Sequence, residues 1–334
     1  MLKLKTIVAA IGLSAIAATS FAADITGAGA SFPYAVYTKW AEAYKAATGN
    51  QVNYQSIGSS GGVKQINAKT VDFAGTDTAV KVADLQKNAQ VQVPTVMGGA
   101  TFVVNLPGIK SGDIKLDGST IADIMRGAVT KWNDAAIAAM NPGVKLPGTA
   151  ITVAHRSDGS GTTNLVSTYL AKQSVAFKRD VGVGNSVNWP ANAVGGKGNP
   201  GVAANVQKIV GAIGYVDIAD AMKNNMTFLA VKNKAGNFVL PTQQTIAEAA
   251  AGADFNVAGM SPDLTDQAGK NAWPVVTATY MVAYEKGDAA KQKGVVDFYT
   301  WSLNNGQKMA AELGFVPLPA NVVKMVEKEM TRIK

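Results

Sequence analysis

Short apolar runs with strand character alternate along the chain with stretches that have a helical period. The pattern predicts strands at residues 23–26, 51–55, 71–75, 95–105, 150–155, 211–216 and 275–284, and helices at 33–48, 63–68, 162–172, 295–303 and 321–333. In the helix at 33–48, Val36, Trp40 and Tyr44 fall on one face. Gly49 follows as a stop signal. The alternation predicts an α/β fold, in which helices cover both faces of a sheet.

Two of these strands, at 95–105 and 275–284, are long and almost continuously apolar. Because one lies early and one late, the chain is predicted to leave a first lobe near Val103 and to return near Thr277. We therefore predict lobe I at residues 23–102 plus 277–334 and lobe II at 103–276, with a two-crossing hinge and a ligand cleft between them. The pattern alone leaves open a single continuous α/β domain.

The first 22 residues have the three parts of a secretory signal peptide. Lys3 and Lys5 supply the positive start, and residues 7–18 form an apolar run. Ser20 and Ala22 then place small side chains at the −3 and −1 positions of a cleavage site. The run is too short for a membrane anchor, since a bilayer core needs roughly 20 apolar residues. We predict export, with cleavage after Ala22.

The composition narrows the classes of site. The 334 residues include no cysteine and one histidine, so no disulfide framework, lipid-modified cysteine or transition-metal site is predicted, and no cofactor is expected. A hydrophobic content of 47% with 16% charged residues is typical of a globular protein, and the length allows two domains. The net charge of +8 is spread along the chain, whereas nucleic-acid binding needs clustered basic and aromatic residues. Nucleic-acid binding is therefore not predicted.

Three segments share a construction that suits an anion. Residues 26–33, 58–62 and 156–163 each place a Gly/Ser-rich turn between a strand end and a predicted helix start. A helix start leaves free N–H donors and the positive end of its dipole, and glycine lets the backbone come close to a ligand. One such turn is also ordinary helix capping. Three of them in one chain indicate an oxyanion site.

Arg156 adds a fixed cation to the third of these segments. Its planar guanidinium can hold two oxygens of a tetrahedral anion at once. Asp158, two residues further on, is placed to hold that guanidinium in position. Without the neighbouring turn, the same two residues fit equally well with a surface ion pair of little energetic worth.

Asp77 follows the strand at 71–75 and is predicted to select the anion. A carboxylate accepts hydrogen bonds but donates none, so it repels an anion that carries no proton. Phosphate keeps one or two protons at neutral pH, whereas sulfate keeps none. Because an unpaired polar group in a binding site can cost about 10⁴-fold in discrimination, phosphate is the expected ligand. Another oxyanion such as sulfate is the disfavoured alternative.

Two other motifs are typical of different functions, and both are weak. Residues 58–62 match the G-x-S-x-G nucleophile elbow of hydrolases, but the triad then needs a histidine, and no aspartate pattern marks His155 as a base. Residues 196–201 match G-x-G-x-x-G of nucleotide-binding proteins. No apolar strand precedes them, however, and Pro200 explains the pattern as a helix start. An enzyme acting on phosphate esters remains the competing class of protein.

Motifs along essentially the whole mature chain resemble the PstS family, the periplasmic phosphate-binding proteins of high-affinity phosphate ABC transporters. They lie in register at residues 26–33, 52–65, 71–77, 156–162, 195–198, 211–216 and 266–274. Two positions differ from common members of the family: Ser31 stands where some have threonine, and Ser157 where alanine is common. Neither difference changes the chemical type of a binding position.

The resemblance implies a type II periplasmic-binding-protein fold, whose two α/β lobes close over a dehydrated phosphate. The residues that it places at the anion are Ser31, Phe32, Ser59, Asp77, Arg156, Asp158, Ser160, Gly161 and Thr162. It also implies a non-enzymatic receptor in the periplasm that delivers inorganic phosphate to the permease subunits of an inner-membrane ABC transporter. We expect this receptor to be a monomer.

Overall fold

The structure is a computed structural model that describes residues 24–334, so the predicted signal peptide at 1–22 and its cleavage site lie outside the described residues. Its strands are β1 (Ile25–Gly29), β2 (Val52–Ser56), β3 (Phe73–Thr76), β4 (Gln90–Val104), β5 (Lys115–Leu116), β6 (Thr152–Arg156), β7 (Val194–Gly196), β8 (Ala212–Asp217), β9 (Thr227–Phe228), β10 (Ala230–Lys232), β11 (Phe238–Val239) and β12 (Val276–Tyr284).

Its helices are α1 (Tyr34–Thr48), α2 (Ser59–Asn67), α3 (Val82–Lys87), α4 (Gly118–Met125), α5 (Ala135–Met140), α6 (Gly161–Gln173), α7 (Val175–Asp180), α8 (Gly198–Lys208), α9 (Ile218–Lys223), α10 (Gln243–Ala250), α11 (Ala289–Asn305), α12 (Gln307–Glu312) and α13 (Ala320–Met330). Among these described helices, none combines the length and the apolar character needed to cross a membrane.

Nine strands of the described chain join into one sheet. Its order is β2-β1-β3-β12-β4-β8-β6-β7, and β9 adds to one end of β4. Strand β1 runs parallel to β2 and β3, and β6 runs parallel to β7 and β8, whereas β12 lies antiparallel between β3 and β4. Helices follow most of the parallel strands, as their crossover connections require. The predicted α/β class is therefore confirmed.

Strand β4 links the two sets of parallel strands through antiparallel pairs with β12 and β8. Its residues 90–99 pair with β12, and its residues 100–104 pair with β8. All 15 of its residues are buried. The strand begins at Gln90, before the predicted position. It continues through Pro94, which has no N–H to give to a ladder, because this proline lies beside a β-bulge at Thr95.

The chain returns to the first set of strands beside the point where it left. Trp273, just before β12, is fully buried, and its indole N–H donates to the carbonyl oxygen of Ala100 at 2.8 Å. Ala100 is also the residue at which β4 changes partner. The two crossings therefore lie next to each other, as in a hinge. The limits of the lobes at 102/103 and 276/277 stay a prediction.

Helix α1 has the predicted apolar stripe. Val36, Trp40 and Tyr44 are all buried, and the helix ends at Gly49 as expected. The indole N–H of Trp40 donates to the carbonyl oxygen of Gly306 at 2.9 Å, which ties α1 to the C-terminal helices. The hydrophobic pattern predicted this helix correctly because one face of α1 packs on the core and the other faces solvent.

Helix α2 differs from the prediction at its start. It begins at Ser59 and not near Val63, so the Gly/Ser turn is itself the first helical turn. Glycine is a poor helix former, and this weakened the helical signal in the sequence. Gly62 is nevertheless needed, because an added Cβ would lie 2.6 Å from the carbonyl oxygen of Ala28 in β1.

Candidate functional site

Three helix starts meet between the β1–β3 strands and the β6–β8 strands. Helix α1 begins after Ser31 and Phe32, α2 begins at Ser59, and α6 begins at Gly161. The side-chain oxygen of Ser59 joins two of the three segments. It accepts hydrogen bonds from the backbone N–H groups of Asp77 at 3.2 Å and Gly161 at 3.1 Å. Turns that are far apart in the sequence thus form one polar cluster.

Gly161 lies directly against Asp77. A Cβ added at Gly161 would stand 2.6 Å from the Cβ of Asp77 and 2.6 Å from the Oγ of Ser59. Glycine is therefore required for this close approach, even though the position is the first of a regular helix. The contact brings the positive end of α6 next to the carboxylate that is predicted to select the anion.

Arg156 is buried, and other side chains hold its guanidinium in place. Nε and Nη2 donate to the two carboxylate oxygens of Asp158 at 2.8 and 2.5 Å, and Nη1 donates to Oδ1 of Asn199 at 3.1 Å. These bonds use three of the five guanidinium N–H groups and leave one on each of Nη1 and Nη2. The remaining pair can hold two oxygens of one anion. Burial of Arg156 excludes the surface-pair alternative.

Asp158 supports Arg156 and is itself held by two other segments. Burial raises the pKa of its carboxyl, but the hydrogen bonds from Arg156 outweigh burial, so the pKa lies below its usual value. The backbone N–H of Gly198, at the start of α8, donates to its Oδ1 at 3.0 Å. A Cβ at Gly58 would lie 2.3 Å from its Oδ2, so the turn before α2 also approaches this ion pair.

Asn199 links four of the polar groups, and the sequence analysis missed it. Its fully buried side chain accepts from Arg156 and donates to Asp217 at 2.6 Å. The same amide nitrogen donates to the hydroxyl of Thr162 at 3.3 Å, and the backbone N–H donates to the Oγ of Ser31 at 3.2 Å. Residues 195–198 carried the family resemblance, but a single asparagine after them gave no signal of this role.

Asp77 is buried with hydrogen bonds to both carboxylate oxygens. Oδ1 accepts from the hydroxyl of Thr279 at 2.8 Å, and Oδ2 accepts from the hydroxyl of Ser59 at 3.3 Å. Burial raises the pKa of Asp77 to about 6, although Thr279, Arg156 and Ser59 all act to lower it. At neutral pH this carboxylate is therefore mainly an acceptor, placed among donors.

The other predicted residues lie in or beside the same cluster. Ser160 caps α6, since its Oγ accepts from the backbone N–H of Thr163 at 3.1 Å. Phe32 is buried and packs edge-on against Phe315, with ring centroids 5.7 Å apart, which fixes the segment before α1. The structure thus brings all nine predicted residues together. Their contact with an anion stays a prediction.

Two cavities flank the cluster. One of about 520 Å³ borders Ser31 and Phe32 and extends to Met222 on α9. The other, of about 190 Å³, borders Asp77 and is lined on its far side by residues 261–265. Residues of the cluster thus border both cavities.

Residues 15–305 match the PBP superfamily domain. The phosphate-binding protein PstS of Xylella fastidiosa (strain Temecula1) is 49% identical over 306 residues, which cover 91% of this chain and 84% of that protein. The chain belongs to the PstS family. At the level of fold, the phosphate-bound structure of the periplasmic phosphate-binding protein PfluDING has a TM-score of 0.75 at 22% identity, covering 91% of this chain and 93% of that one. An ABC-type phosphate transport receptor from Vibrio cholerae has a TM-score of 0.57 at 17% identity, covering 89% and 100%.

The fold of this PstS-family chain is the predicted one, with two α/β lobes of the type II periplasmic-binding-protein class. Strands β1–β3 and β12 form one part of the sheet, β6–β8 form the other, and β4 pairs with both parts. Which residues make up each lobe stays a prediction. The polar cluster lies between these two parts, where the predicted cleft would offer a ligand site.

The two weak motifs have local structural roles in this PstS-family chain. The Oγ of Ser60 accepts from the side-chain amide of Asn185 at 3.0 Å. His155 stacks on Trp189 instead, with ring centroids 5.5 Å apart. The serine and the histidine of the supposed hydrolase thus have different partners. Residues 196–201 surround the start of α8, as the proline in this segment predicted.

Replacing Gly161 with alanine should weaken phosphate binding by about 10- to 100-fold, because the new methyl group must displace Asp77 or Ser59 from the closed cleft. Overpacking of this kind typically costs about 1–3 kcal/mol. Titration calorimetry of Gly161→Ala against wild type measures the change. Gly252→Ala is the matched control, since its added Cβ meets no atom within 4 Å. Equal affinities of the two variants would contradict the contact.

Replacing Asp77 with asparagine should raise the free energy of unfolding of the phosphate-free protein, and this gain should be larger at pH 8 than at pH 4. A carboxyl whose pKa is raised from 3.8 to about 6 on folding destabilises the folded state as the pH rises through that window. The penalty at pH 8 is about 3 kcal/mol at most, falls to well under about 1 kcal/mol at pH 4, and vanishes only where the group is protonated in both states. Urea unfolding at both pH values measures it. An effect of the change that is equal at both pH values would contradict this prediction.

Proposed function

We propose that this chain is a periplasmic receptor that captures inorganic phosphate between its lobes and delivers it to the permease of an inner-membrane ABC transporter. The observation that carries the proposal is one buried cluster that combines an acceptor, Asp77, with the donor fork of Arg156 and three helix starts. An anion that keeps a proton needs both kinds of partner. The names of the relatives support the ligand and the transport system.

Hydrogen bonding, more than net charge, holds the anion in this proposal. Asp158 neutralises Arg156, and Asp77 adds a second carboxylate, so the three side chains together carry one negative charge. A net negative charge does not attract a phosphate anion. The anion gains from charge-assisted bonds to the Arg156 fork, to hydroxyls and to helix-start N–H groups, each of which contributes about 1.5–3 kcal/mol when one partner is ionised.

The lobes in this proposal keep the limits predicted above, 23–102 with 277–334 for the first and 103–276 for the second. The change of partner within β4 at Ala100 and the start of β12 at Val276 support both limits. Rotation about these two neighbouring crossings would open the cleft and close it over phosphate.

Export, cleavage after Ala22, a monomeric state and the lack of enzymatic activity also belong to the proposal. The separate partners of Ser60 and His155 support the last point. Mass spectrometry of the mature chain tests the cleavage, and light scattering tests the monomer. Incubation of the purified protein with a chromogenic phosphate ester tests for turnover, which would favour the competing enzyme.

The central test is titration calorimetry of the purified chain, stripped of phosphate by partial unfolding and refolding, against phosphate and sulfate. We expect one phosphate bound per chain, no measurable sulfate binding, and compaction on phosphate binding in X-ray scattering. Comparable affinity for both anions would contradict the proposal and indicate a general oxyanion receptor.

A further inference from the structure

The loop between α7 and β7 carries Asn185 across the cleft. Its side-chain Oδ1 accepts from the hydroxyl of Thr78 at 2.7 Å, and its Nδ2 donates to the hydroxyl of Ser60 at 3.0 Å. Thr78 follows β3 and Ser60 lies in the first turn of α2, so both belong to the lobe opposite Asn185. One planar amide thus uses its acceptor and its donor on two groups of the other lobe.

Asn185 is fixed to its own lobe at the start of α6. Its backbone carbonyl oxygen accepts from the N–H of Ser160, the cap of α6, at 2.8 Å. The N–H of Gly184 donates to the Oγ of Ser167 on α6 at 3.2 Å. The loop therefore moves with the start of α6, and the position of the Asn185 side chain is set by the same segment that carries the predicted anion donors.

Trp189 anchors the other end of this loop. Its ring stacks on His155 at 5.5 Å, lies 5.7 Å from the ring of Tyr215 and meets Phe177 edge-on at 6.4 Å. His155 and Tyr215 lie on β6 and β8, so the loop is anchored on the strands of its own lobe. A loop held at both ends presents its amide in one orientation, which lowers the entropy lost when the contact forms.

The partners of Asn185 are neighbours in sequence of two predicted anion contacts. Thr78 follows Asp77, and Ser60 follows Ser59. The contact of Asn185 with them therefore fixes the distance between the groups that enclose the anion from opposite lobes. We propose that Asn185 is a positioning residue that latches the two lobes together and sets how slowly bound phosphate leaves; this inference rests on the proposed function.

The latch is tested by the rates of phosphate exchange in the full mature chain. Release of radiolabelled phosphate into excess unlabelled phosphate gives the dissociation rate, and stopped-flow tryptophan fluorescence gives the association rate. Asn185→Ala should dissociate about 10-fold faster or more, because two hydrogen bonds of the closed state are lost. Association should change less than about 3-fold, since the latch forms only after the lobes meet.

A second variant, Ser60→Ala combined with Thr78→Val, removes the two hydroxyl partners and should release phosphate as fast as Asn185→Ala. Adding Asn185→Ala to this background should then change the rate less than about 2-fold, as expected for groups that act through one contact. The matched control is Asn188→Ala, in the same loop but exposed, and it should release phosphate at the wild-type rate.

Three results would overturn the latch. The first is a wild-type dissociation rate in Asn185→Ala, and the second is a full effect of that change in the Ser60→Ala, Thr78→Val background. The third is a loss of melting temperature in Asn185→Ala that is the same with and without phosphate. The last would assign Asn185 to local folding only. Absence of phosphate binding by the wild-type chain would reject the proposed function and the latch together. Phosphate binding with an unchanged dissociation rate would reject the latch alone.

Discussion

Replacing Arg156 with alanine should raise the dissociation constant for phosphate by about 1000-fold or more. The change removes the two N–H groups that are free to bind the anion, and it leaves the carboxylate of Asp158 without its partner in the cleft. Two hydrogen bonds to the anion are lost, each contributing about 1.5–3 kcal/mol when charged groups are involved, and each 1.4 kcal/mol is tenfold in affinity. Titration calorimetry or competition with labelled phosphate measures the loss.

The chain offers a matched control on its surface. Arg179 donates to Asp180 through Nε at 2.6 Å and Nη2 at 3.1 Å, the same two-point geometry, but its side chain is 73% exposed. Arg179→Ala should leave phosphate affinity unchanged within about twofold, because surface pairs contribute little. Arg156→Lys should fall between wild type and alanine, since it keeps the charge and loses the fork. Near-normal affinity of Arg156→Ala would remove Arg156 from the site.

Replacing Asp77 with asparagine should lower the preference for phosphate over sulfate by about 100-fold or more. In the wild type both carboxylate oxygens accept hydrogen bonds, from Thr279 and Ser59, and neither can donate to an anion without protons. An amide keeps the acceptor that faces Thr279 and adds an N–H donor beside Ser59. Sulfate then meets a donor in place of a repelling carboxylate.

The pH dependence separates this explanation from a general loosening of the cleft. Because burial raises the pKa of Asp77 to about 6, the protonated form increases as the pH falls below that value. Sulfate should therefore bind the wild type more tightly at pH 5 than at pH 8, and bind Asp77→Asn equally at both. Calorimetry with sulfate at the two pH values measures this. Unchanged sulfate rejection in the variant would show that Asp77 is not the gate.

Local patterns were sufficient for much of the site. Arg156 and Asp158 are two residues apart, so their pairing depends on one short segment. The Gly/Ser turns at α2 and α6 also carry their signal locally, in glycine, serine and a following amphipathic stretch. That the three turns lie at one site was predicted from their common construction and from the family resemblance. Their spacing along the chain does not show it.

The groups that were missed act over long distances in the sequence. Thr279 reaches Asp77 because β12 lies next to β3, and Asn185 reaches Thr78 across the cleft. Neither residue type is unusual for its position: threonine is common in strands and asparagine in loops. The start of α2 was misplaced for a different reason, because glycines required for close packing have low helix propensity.

The position of β12 also determines the order in which this chain can become a finished protein. The strand fills the gap between β3 and β4, yet strands β5–β11 and their helices all precede it in the sequence. Because the chain is synthesised from its N-terminus, the facing edges of β3 and β4 have no partner until residues 276–284 have been made. Open strand edges recruit other chains, and pairings between distant segments form slowly. Nascent chains are therefore vulnerable to aggregation until their last fifth is available, and an incomplete chain that ends before β12 is a natural target for chaperones and proteases.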